Sequence, residues 1–268
     1  MTMQGARVSV VIPSRLKGPS TEPGSPWFVE RALNCLREQT ALKQGAMLQA
    51  IVAVDEGMAA VAAPRLAGRA VLAESQKRSQ AAALNAGLAI AGGDYIAFLE
   101  DDDLWSPDFL AVALNTLQQF DFVSSTQIDM SVDGQVQRIS DFPTPSGWVM
   151  KRRTLETVGV FDEAYRWHLD SEWLGRLGDS GLSRAHLLEA TAPIEQQWIE
   201  ASRPQIADLM EASGGRVSLC RHASPWPLVV RTLHPNSGMA QIGADPEKSL
   251  ESKAEYTRLM ERFGRLPW

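Results

Sequence analysis

The chain has 268 residues, of which 44% are hydrophobic, and a formal net charge of −6 at pH 7. This length and composition predict a soluble globular protein with one ordinary core or two smaller lobes. The chain is acidic overall and contains no long run of Lys or Arg, which argues against a nucleic-acid backbone or an anionic membrane as partner.

The cellular environment is predicted from cysteine usage and from the lack of export signals. Cys35 and Cys220 stand far apart and in no metal-like spacing, and the N-terminus lacks the layout of a signal peptide. The sequence contains no window of about 18 apolar residues, so no membrane-spanning helix is predicted. We therefore expect a cytoplasmic protein; peripheral contact with the inner face of a membrane stays open, as does the oligomeric state.

Strands and helices alternate along the first hundred residues. Four apolar stretches predict strands: RVSVVIPS, LQAIVAVDEG, RAVLAES and DYIAFL. Two intervening stretches predict helices: WFVERALNCLREQT and SQAAALNAGLAIAGG. Such alternation implies a mostly parallel sheet with helices on both faces, in which ligands collect beyond the carboxyl ends of the strands. Pro13, Asp55 and the acidic run Glu100–Asp103 each lie at such an end, so we expect one site.

The acidic run contains four adjacent carboxylates, directly before LWSPDFL. Ser106 and Pro107 predict the start of a helix there, and a helix dipole would favour one or two nearby acids. Four adjacent carboxylates repel one another and require a compensating cation. A divalent-metal or sugar-nucleotide role is therefore the favoured interpretation.

The second half is less periodic. FDFVSS and TQIDMSVDGQVQRIS predict strands joined by a turn at Asp133–Gly134. A further strand, a short helix and a helix that begins near Asp170 follow, and Glu211–Ser218 is predicted to be a hinge or loop. The last residues, EKSLESKAEYTRLMERFGRLPW, predict a terminal helix of unknown use.

Four stretches together resemble the family-2 glycosyltransferases of the GT-A fold: VSVVIPSR, NAGLAIAGGDYIAFLEDDDLWSPDFL, GVFDEAYRWHLDSEWLGRL and RTLHPNSG. The resemblance implies one α/β domain, with a single Rossmann-like, mostly parallel sheet, helices on both faces and an acceptor-side subregion. It implies that residues 1–105 bind the nucleotide sugar and residues 106–240 form the acceptor half. Residues 241–268, a helical tail, lie outside it.

The resemblance also implies an activity. The expected enzyme is an inverting, hexosyltransferase-type transferase of EC class 2.4, which moves a sugar from a UDP-, GDP- or dTDP-sugar to an acceptor hydroxyl. The acceptor would be a sugar, a lipid-linked compound or a small molecule. The expected cofactor is Mn²⁺ or Mg²⁺, because a hard cation held by carboxylates neutralises a diphosphate leaving group. Such a cation also explains how an acidic protein could bind a diphosphate.

The resemblance assigns the donor-site residues by position. Asp102 takes the metal-binding place, and His234 matches a late His that completes the metal shell or touches the diphosphate. The family usually has Asp at the position of Glu100, and Leu84 replaces a family Arg, whose charge Arg78 could supply. The nucleotide-binding set is Pro13, Ser14, Asp55, Arg78, Asn85, Glu100 and Asp101.

The acceptor side is assigned in the same way. Asp170 in HLDSEWLGRL matches the general base, and Glu172 is the alternative because acids two residues apart on a helix face different directions. Asp170 could also be a plain N-cap. Trp148 and Trp167 are expected to contact the acceptor, since aromatic faces suit sugar rings, although they suit cores equally well.

Two other functions stay open. A sugar-1-phosphate nucleotidyltransferase uses a similar sheet and acidic metal site, but the stretch PSRLKGPSTEPG only poorly imitates its phosphate loop. A non-catalytic nucleotide-sugar or carbohydrate-binding protein would be consistent with Glu100 and Leu84. The donor sugar, the nucleobase and the acceptor depend on loops, mainly Arg15–Pro26 and the region around Trp148.

Overall fold

The computed structural model of the chain describes residues 3–188, apart from 21 and 23, and residues 216–264, apart from 226 and 236. The loop predicted at Glu211–Ser218 therefore lies largely outside the described residues.

The described residues form twelve strands and nine α-helices. In chain order these are β1 (Arg7–Ser14), α1 (Phe28–Arg37), α2 (Thr40–Lys43), β2 (Met47–Val54), α3 (Ala59–Leu66), β3 (Val71–Glu74), α4 (Gln80–Ala89), β4 (Tyr95–Phe98), β5 (Leu104–Trp105), α5 (Phe109–Thr116), β6 (Phe122–Ser125), β7 (Gln127–Ser131), β8 (Val136–Ser140), β9 (Val149–Lys151), α6 (Arg152–Val158), α7 (Leu169–Asp179), β10 (Arg184–Leu188), β11 (Val217–Arg221), β12 (Val229–Leu233), α8 (Gly238–Ala244) and α9 (Pro246–Phe263). A 3-10 turn at Pro145–Gly147 precedes β9.

The main sheet has eight strands in the order β11-β10-β6-β9-β4-β1-β2-β3. Strand β9 runs antiparallel to its neighbours β4 and β6, and the remaining pairs are parallel. The parallel strands therefore all direct their carboxyl ends to one edge. The predicted mostly parallel sheet is confirmed.

Two apolar cores lie on opposite faces of this sheet. Val10 and Ile12 of β1 pack with α1, α3 and α5 on one face, whereas Val11 packs with α4, α6 and α7 on the other. The alternation follows from the two-residue period of a strand. Helices thus cover both faces, as the sequence predicts.

A smaller sheet has the order β5-β12-β7-β8. Strands β7 and β8 form the predicted hairpin, and Gly134 in its turn has a φ of 87°, which glycine adopts without strain. Strand β5 directly follows the acidic run and pairs with β12, which comes from the end of the chain. This pairing brings β12, from the second half of the chain, beside the carboxylates.

The helix predicted to start after Ser106 begins later than expected. It begins at Phe109, and Asp108 occupies the N-cap position. The Asp108 side chain does not cap the helix, because it accepts hydrogen bonds from the hydroxyls of Thr40 and Ser224. The Ser106 amide donates to the carbonyl of Leu228, so this residue continues the pairing of β5 instead of capping the helix.

The C-terminal helix α9 packs against the body of the domain. Leu259 is fully buried and belongs to the same core as Trp173 of α7. A Cβ atom on Gly175 would lie 2.5 Å from the Phe263 ring, so only glycine permits this close approach. None of the described helices is both long and apolar enough to span a bilayer.

Candidate active site

The carboxyl ends of β1, β2 and β4 lie side by side at one edge of the main sheet. Ser14 is paired with Val54, the residue before Asp55, and Val11 is paired with Phe98. The Ser14 hydroxyl donates to Oδ2 of Asp101 at 2.5 Å. These strand ends therefore carry the predicted residues to one place, as expected for a parallel sheet.

The backbone after Ser14 adopts an unusual conformation. Leu16 has a φ of 55°, in the left-handed region that non-glycine residues rarely occupy. Its amide donates to the Ser14 hydroxyl at 3.0 Å, which supports the tight bend. Backbone strain of this kind is concentrated at ligand sites, and here it lies two residues from Ser14, which contacts the acidic loop.

The acidic loop is anchored through Asp103, a member of the predicted acidic run to which the sequence assigns no separate role. One carboxylate oxygen accepts the Ser146 hydroxyl at 2.6 Å, and the other accepts the Thr232 amide at 3.0 Å. The Ser146 oxygen also accepts the Glu100 amide at 3.0 Å. Asp103 thus fixes the loop to the 3-10 turn and to β12.

Asp102 lies against His234. The Nε2 atom of His234 is 2.6 Å from Oδ2 of Asp102. His234 directly follows β12, and the pairing of Val230 with Leu104 sets its position. The structure therefore brings together the two residues predicted as metal ligands.

The acidic loop has a donor set suited to a hard cation. Glu100, Asp102 and Asp103 each offer an oxygen, and these atoms lie within 4.8 Å of one another. Magnesium and manganese prefer such carboxylate oxygens, and an imidazole nitrogen is compatible with manganese. Because both oxygens of Asp103 already accept hydrogen bonds, Asp102 and Glu100 are the carboxylates better placed to bind an ion. The residues present fit a divalent metal.

The charge state of this loop reflects its burial. Burial raises the pKa of Glu100 to about 7, and the charge of Asp102 adds to the effect. Burial and Asp102 likewise raise the pKa of Asp101 to about 7, although its bond to Ser14 opposes the rise. The pKa of Asp103 is raised well above its ordinary value for the same reasons. A cation bound here would lower these pKa values and favour the ionised carboxylates.

Arg231 on β12 supplies a positive charge at the site, although sequence patterns gave no signal for it. Its side chain is 19% exposed and lies 3.4 Å from Oδ1 of Asp129. Burial lowers the pKa of Arg231, but nearby carboxylates outweigh burial and raise it. Its charge in turn lowers the pKa values of Glu100, Asp103 and Asp170.

Asp170 lies in the first turn of α7, within electrostatic range of Glu100 and Arg231. The N-cap is His168, so the interpretation of Asp170 as a plain N-cap is wrong. Burial raises the pKa of Asp170, whereas the Ser171 amide, His168 and Arg231 lower it. A half-buried carboxylate with a raised pKa beside a cluster of charges is a typical candidate for acid–base chemistry.

Glu172 does not suit the role of the alternative base. It is fully buried, and its two oxygens accept from Arg176 at 2.8 Å each. Arg262 of α9 donates to the same carboxylate at 2.8 Å. The expectation for Glu172 is therefore corrected: its carboxylate forms ion pairs on the side of α7 that faces α9.

Two further expectations are corrected by packing. The Asn85 amide donates to the Phe161 carbonyl and accepts the Phe161 amide, both at 2.9 Å, so it secures a loop instead of facing a nucleotide. The Trp148 side chain is 0% exposed, and its ring centroid lies 5.2 Å from that of Trp173. An acceptor could not touch the Trp148 ring without repacking of the core.

The remaining predicted residues stay predictions. Pro13 and Asp55 are half-buried at the strand ends, and Arg78 is exposed in the loop before α4. Trp167 is half-buried, and its ring nitrogen donates to Glu251 of α9 at 3.1 Å.

Arg31 of α1 is a second cation that the sequence did not single out. Its guanidinium donates to the Asp102 carbonyl at 3.2 Å and to the Thr232 hydroxyl at 3.1 Å. It also lies over the Phe28 ring, with the guanidinium carbon 5.3 Å from the ring centroid. Arg31 thus supports the main chain of the acidic loop, and a lone Arg on a predicted helix carries no signal for this contact.

Comparisons with known proteins extend these observations. The model of the family described as Glycosyl transferase family 2 matches residues 9–164, more than half of the chain. No curated protein sequence matches the chain.

Solved structures of S. aureus TarS share the fold. TarS itself is 12% identical, with a TM-score of 0.52 over 85% of this chain and 37% of TarS. TarS 1-349 in complex with UDP is 13% identical, with a TM-score of 0.54 over 85% of this chain and 61% of the other. TarS 1-349 in complex with UDP-GlcNAc is 13% identical, with a TM-score of 0.52 over 86% and 60%. The chain therefore spans less than two thirds of these neighbours.

Proposed function

We infer the activity from one premise: this chain belongs to glycosyl transferase family 2. We propose that it transfers a sugar from a nucleoside-diphosphate sugar to an acceptor hydroxyl. The observation that carries the proposal is the contact of His234 with Asp102 at 2.6 Å, at the edge where β1, β2 and β4 end. The half-buried carboxylate of Asp170, within electrostatic range of Glu100, supports an acid–base step beside it.

The proposed donor site lies at the ends of β1, β2 and β4. Pro13, Ser14, Asp55 and Asp101 would line the nucleotide, with Ser14 holding Asp101 in place. A UDP-sugar is the first donor to test, because UDP and UDP-GlcNAc are bound in two TarS structures of the same fold. GDP- and dTDP-sugars are the alternatives.

Asp102, His234 and Glu100 would hold Mn²⁺ or Mg²⁺, which supplies positive charge to the departing diphosphate. The chain's own contribution is to position this donor set. Ser146 and Thr232 fix Asp103, and Arg31 fixes the Asp102 carbonyl, so the loop is held before any ligand arrives. Preorganisation of this kind reduces the cost of binding.

Asp170 is the proposed general base. It would accept the proton of the acceptor hydroxyl while that oxygen bonds to the anomeric carbon. The bond from this carbon to the diphosphate oxygen breaks on the opposite face, so the configuration inverts without a covalent enzyme intermediate. General-base catalysis typically contributes about 10²- to 10⁴-fold. Arg231 supports this role, because its charge favours the ionised form of Asp170.

In this proposal residues 1–105 bind the donor and residues 106–240 form the acceptor side.

The two alternative functions, a nucleotidyltransferase and a non-catalytic binding protein, differ from the proposed transferase in the product that they release. A nucleotidyltransferase would form pyrophosphate from a nucleoside triphosphate and a sugar 1-phosphate, and a binding protein would release nothing.

The test is to incubate the chain with UDP-, GDP- and dTDP-hexoses, with and without Mn²⁺, and to measure the released nucleoside diphosphate. Metal-dependent release that is lost in Asp102→Ala and strongly reduced in Asp170→Asn would support the proposal. Release that persists in Asp102→Ala, or release of pyrophosphate from a nucleoside triphosphate and a sugar 1-phosphate, would contradict it.

A further inference from the structure

A buried carboxylate on the C-terminal helix accepts three consecutive main-chain amides. Glu255 of α9 is 6% exposed and accepts from the amides of Arg166 at 2.8 Å, Trp167 at 2.8 Å and His168 at 3.0 Å. These three residues lead directly into α7. Successive amides at the start of a helix form an anion-binding concavity, and here a side chain of the same chain occupies it.

Other side chains of α9 fasten the same segment. The Ser252 hydroxyl lies 2.9 Å from Nε2 of His168. Glu251 accepts the Trp167 ring nitrogen at 3.1 Å. One turn further along α7, Arg262 donates to Glu172. The entry into α7 and its first turns are therefore bound to α9, through residues that lie beyond the match to the family model.

The segment bound by α9, Arg166–His168, ends two residues before Asp170. His168 is the N-cap of α7, and its carbonyl accepts the Glu172 amide at 3.0 Å, which closes the helical turn containing Asp170. The direction in which α7 starts therefore sets where the Asp170 carboxylate lies. A displacement of about 1 Å in a reacting group can reduce the rate about 100-fold.

The donor side has separate anchors. Asp101 is held by Ser14, and Asp103 is held by Ser146 and Thr232. None of these contacts involves α9. A change at Glu255 should consequently disturb the base and leave nucleotide binding intact.

We propose that Glu255 is a positioning residue for catalysis, which acts by holding the start of α7 so that Asp170 faces the acceptor hydroxyl. This inference rests on the proposed role of Asp170 as base. It makes α9 a functional part of the transferase domain.

The informative variant is Glu255→Gln. It keeps the length of the side chain and one acceptor oxygen, but it turns an amide group towards main-chain N–H donors. Glu255→Asp keeps the charge with a shorter reach. The matched control is Glu261→Gln, a substitution of an exposed glutamate on the same helix.

The experiment uses the full chain and the donor sugar that supports wild-type turnover. It compares melting temperatures, the nucleoside-diphosphate Kd in Mn²⁺, and kcat and donor KM at a temperature where every variant is folded. We expect kcat of Glu255→Gln to fall about 10- to 100-fold while Kd stays within about twofold. Glu255→Asp should recover part of kcat, and Glu261→Gln should behave as wild type.

A double-mutant cycle separates positioning from a merely structural role. If Glu255 acts through Asp170, adding Glu255→Gln to Asp170→Asn should reduce kcat little further, because coupled residues are not additive. Additive losses, a wild-type kcat in folded Glu255→Gln, or parallel losses of Kd and kcat would each overturn the inference. Failure of the proposed function itself would show differently, as absent turnover in the wild-type chain.

Discussion

The Nε2 atom of His234 lies 2.6 Å from a carboxylate oxygen of Asp102, although the two residues are 132 positions apart. The contact depends on the antiparallel pairing of β5 with β12, which directs the end of β12 to the acidic loop. A nitrogen and a carboxylate oxygen so placed can share one cation. The small sheet therefore has a direct structural role in completing the candidate metal site.

Replacement of His234 by Gln should weaken metal binding with little loss of stability, because the largely buried imidazole, 11% exposed, is exchanged for another polar side chain of similar reach. The Kd for Mn²⁺ should rise by at least about tenfold, because substitutions around a metal site typically reduce metal affinity by about 10- to 100-fold. Calorimetric titration with Mn²⁺ in the presence of the nucleotide measures it. Asp133→Asn, in the exposed turn of the β7–β8 hairpin, is the control. An unchanged Kd would exclude His234 from the metal site.

Asp170→Asn should reduce turnover without reducing stability, whereas Glu172→Gln should mainly reduce stability. Asp170→Asn should reduce kcat by about 10²- to 10⁴-fold. It should not lower the melting temperature, because burial already disfavours the ionised carboxylate and raises its pKa. Glu172→Gln should lower the free energy of unfolding by about 3 kcal/mol, because it leaves Arg176 and Arg262 without their partner.

Steady-state kinetics and thermal unfolding on both variants give the comparison. A loss of kcat in Glu172→Gln that equals that of Asp170→Asn, at an unchanged melting temperature, would transfer the role of base to Glu172.

Arg231 should set the pH dependence of turnover. The base must be deprotonated, so kcat rises with pH through the pKa of Asp170, which burial raises and Arg231 lowers. In Arg231→Met that pKa should rise further, and the acidic limb of the pH profile of kcat should move to higher pH. Arg231→Lys, which keeps the charge, should show a smaller shift. A limb that stays in place or moves to lower pH would contradict the proposed interaction.

Metal binding should stabilise the fold more at alkaline than at acidic pH. The pKa values of Glu100 and Asp101 are raised to about 7, whereas the pKa values of Asp and Glu in an unfolded chain are about 4. Between these values the folded chain binds more protons than the unfolded chain, so the metal-free protein loses stability as pH rises from about 4 to 7. A cation favours the ionised carboxylates and should offset that loss.

The measurement is the melting temperature in EDTA and in Mn²⁺ at pH 5, 6, 7 and 8. The increase produced by Mn²⁺ should grow with pH. An increase of equal size at every pH would mean that metal binding is not linked to the protonation of these carboxylates.

The main sheet and its edge could be predicted because they depend on local patterns. The apolar run before Ser14, the run before Asp55 and the run before Glu100 each specify a strand, and the parallel arrangement then brings their ends together. The prediction that Asp102 and His234 belong to one metal site came from the family resemblance, because sequence spacing alone does not show that residues so far apart are in contact.

The corrected and missed residues depend on contacts that the sequence does not display. An aromatic side chain suits a sugar or a core equally, and only packing against Trp173 placed Trp148 in the core. Asp103 belongs to the predicted acidic run, but neither its anchoring role nor the role of Arg231 could be predicted, since their partners come from distant strands. The role of α9 was hidden for the same reason: Glu255 is one of many acids in that stretch, and its contact with the start of α7 is tertiary.

Metal-dependent nucleotide binding tests the central claim most directly. The melting temperature of the chain is measured with UDP, GDP, dTDP and CDP, each with and without Mn²⁺, beside Asp102→Ala and the control Asp133→Ala. One nucleotide should stabilise the chain only with Mn²⁺, by about 2.7 kcal/mol at a hundredfold excess over its Kd. That stabilisation should vanish in Asp102→Ala and persist in Asp133→Ala. If no nucleotide stabilises the chain, or if Asp102→Ala is stabilised as much as the wild-type chain, a metal-dependent donor site at this edge is contradicted.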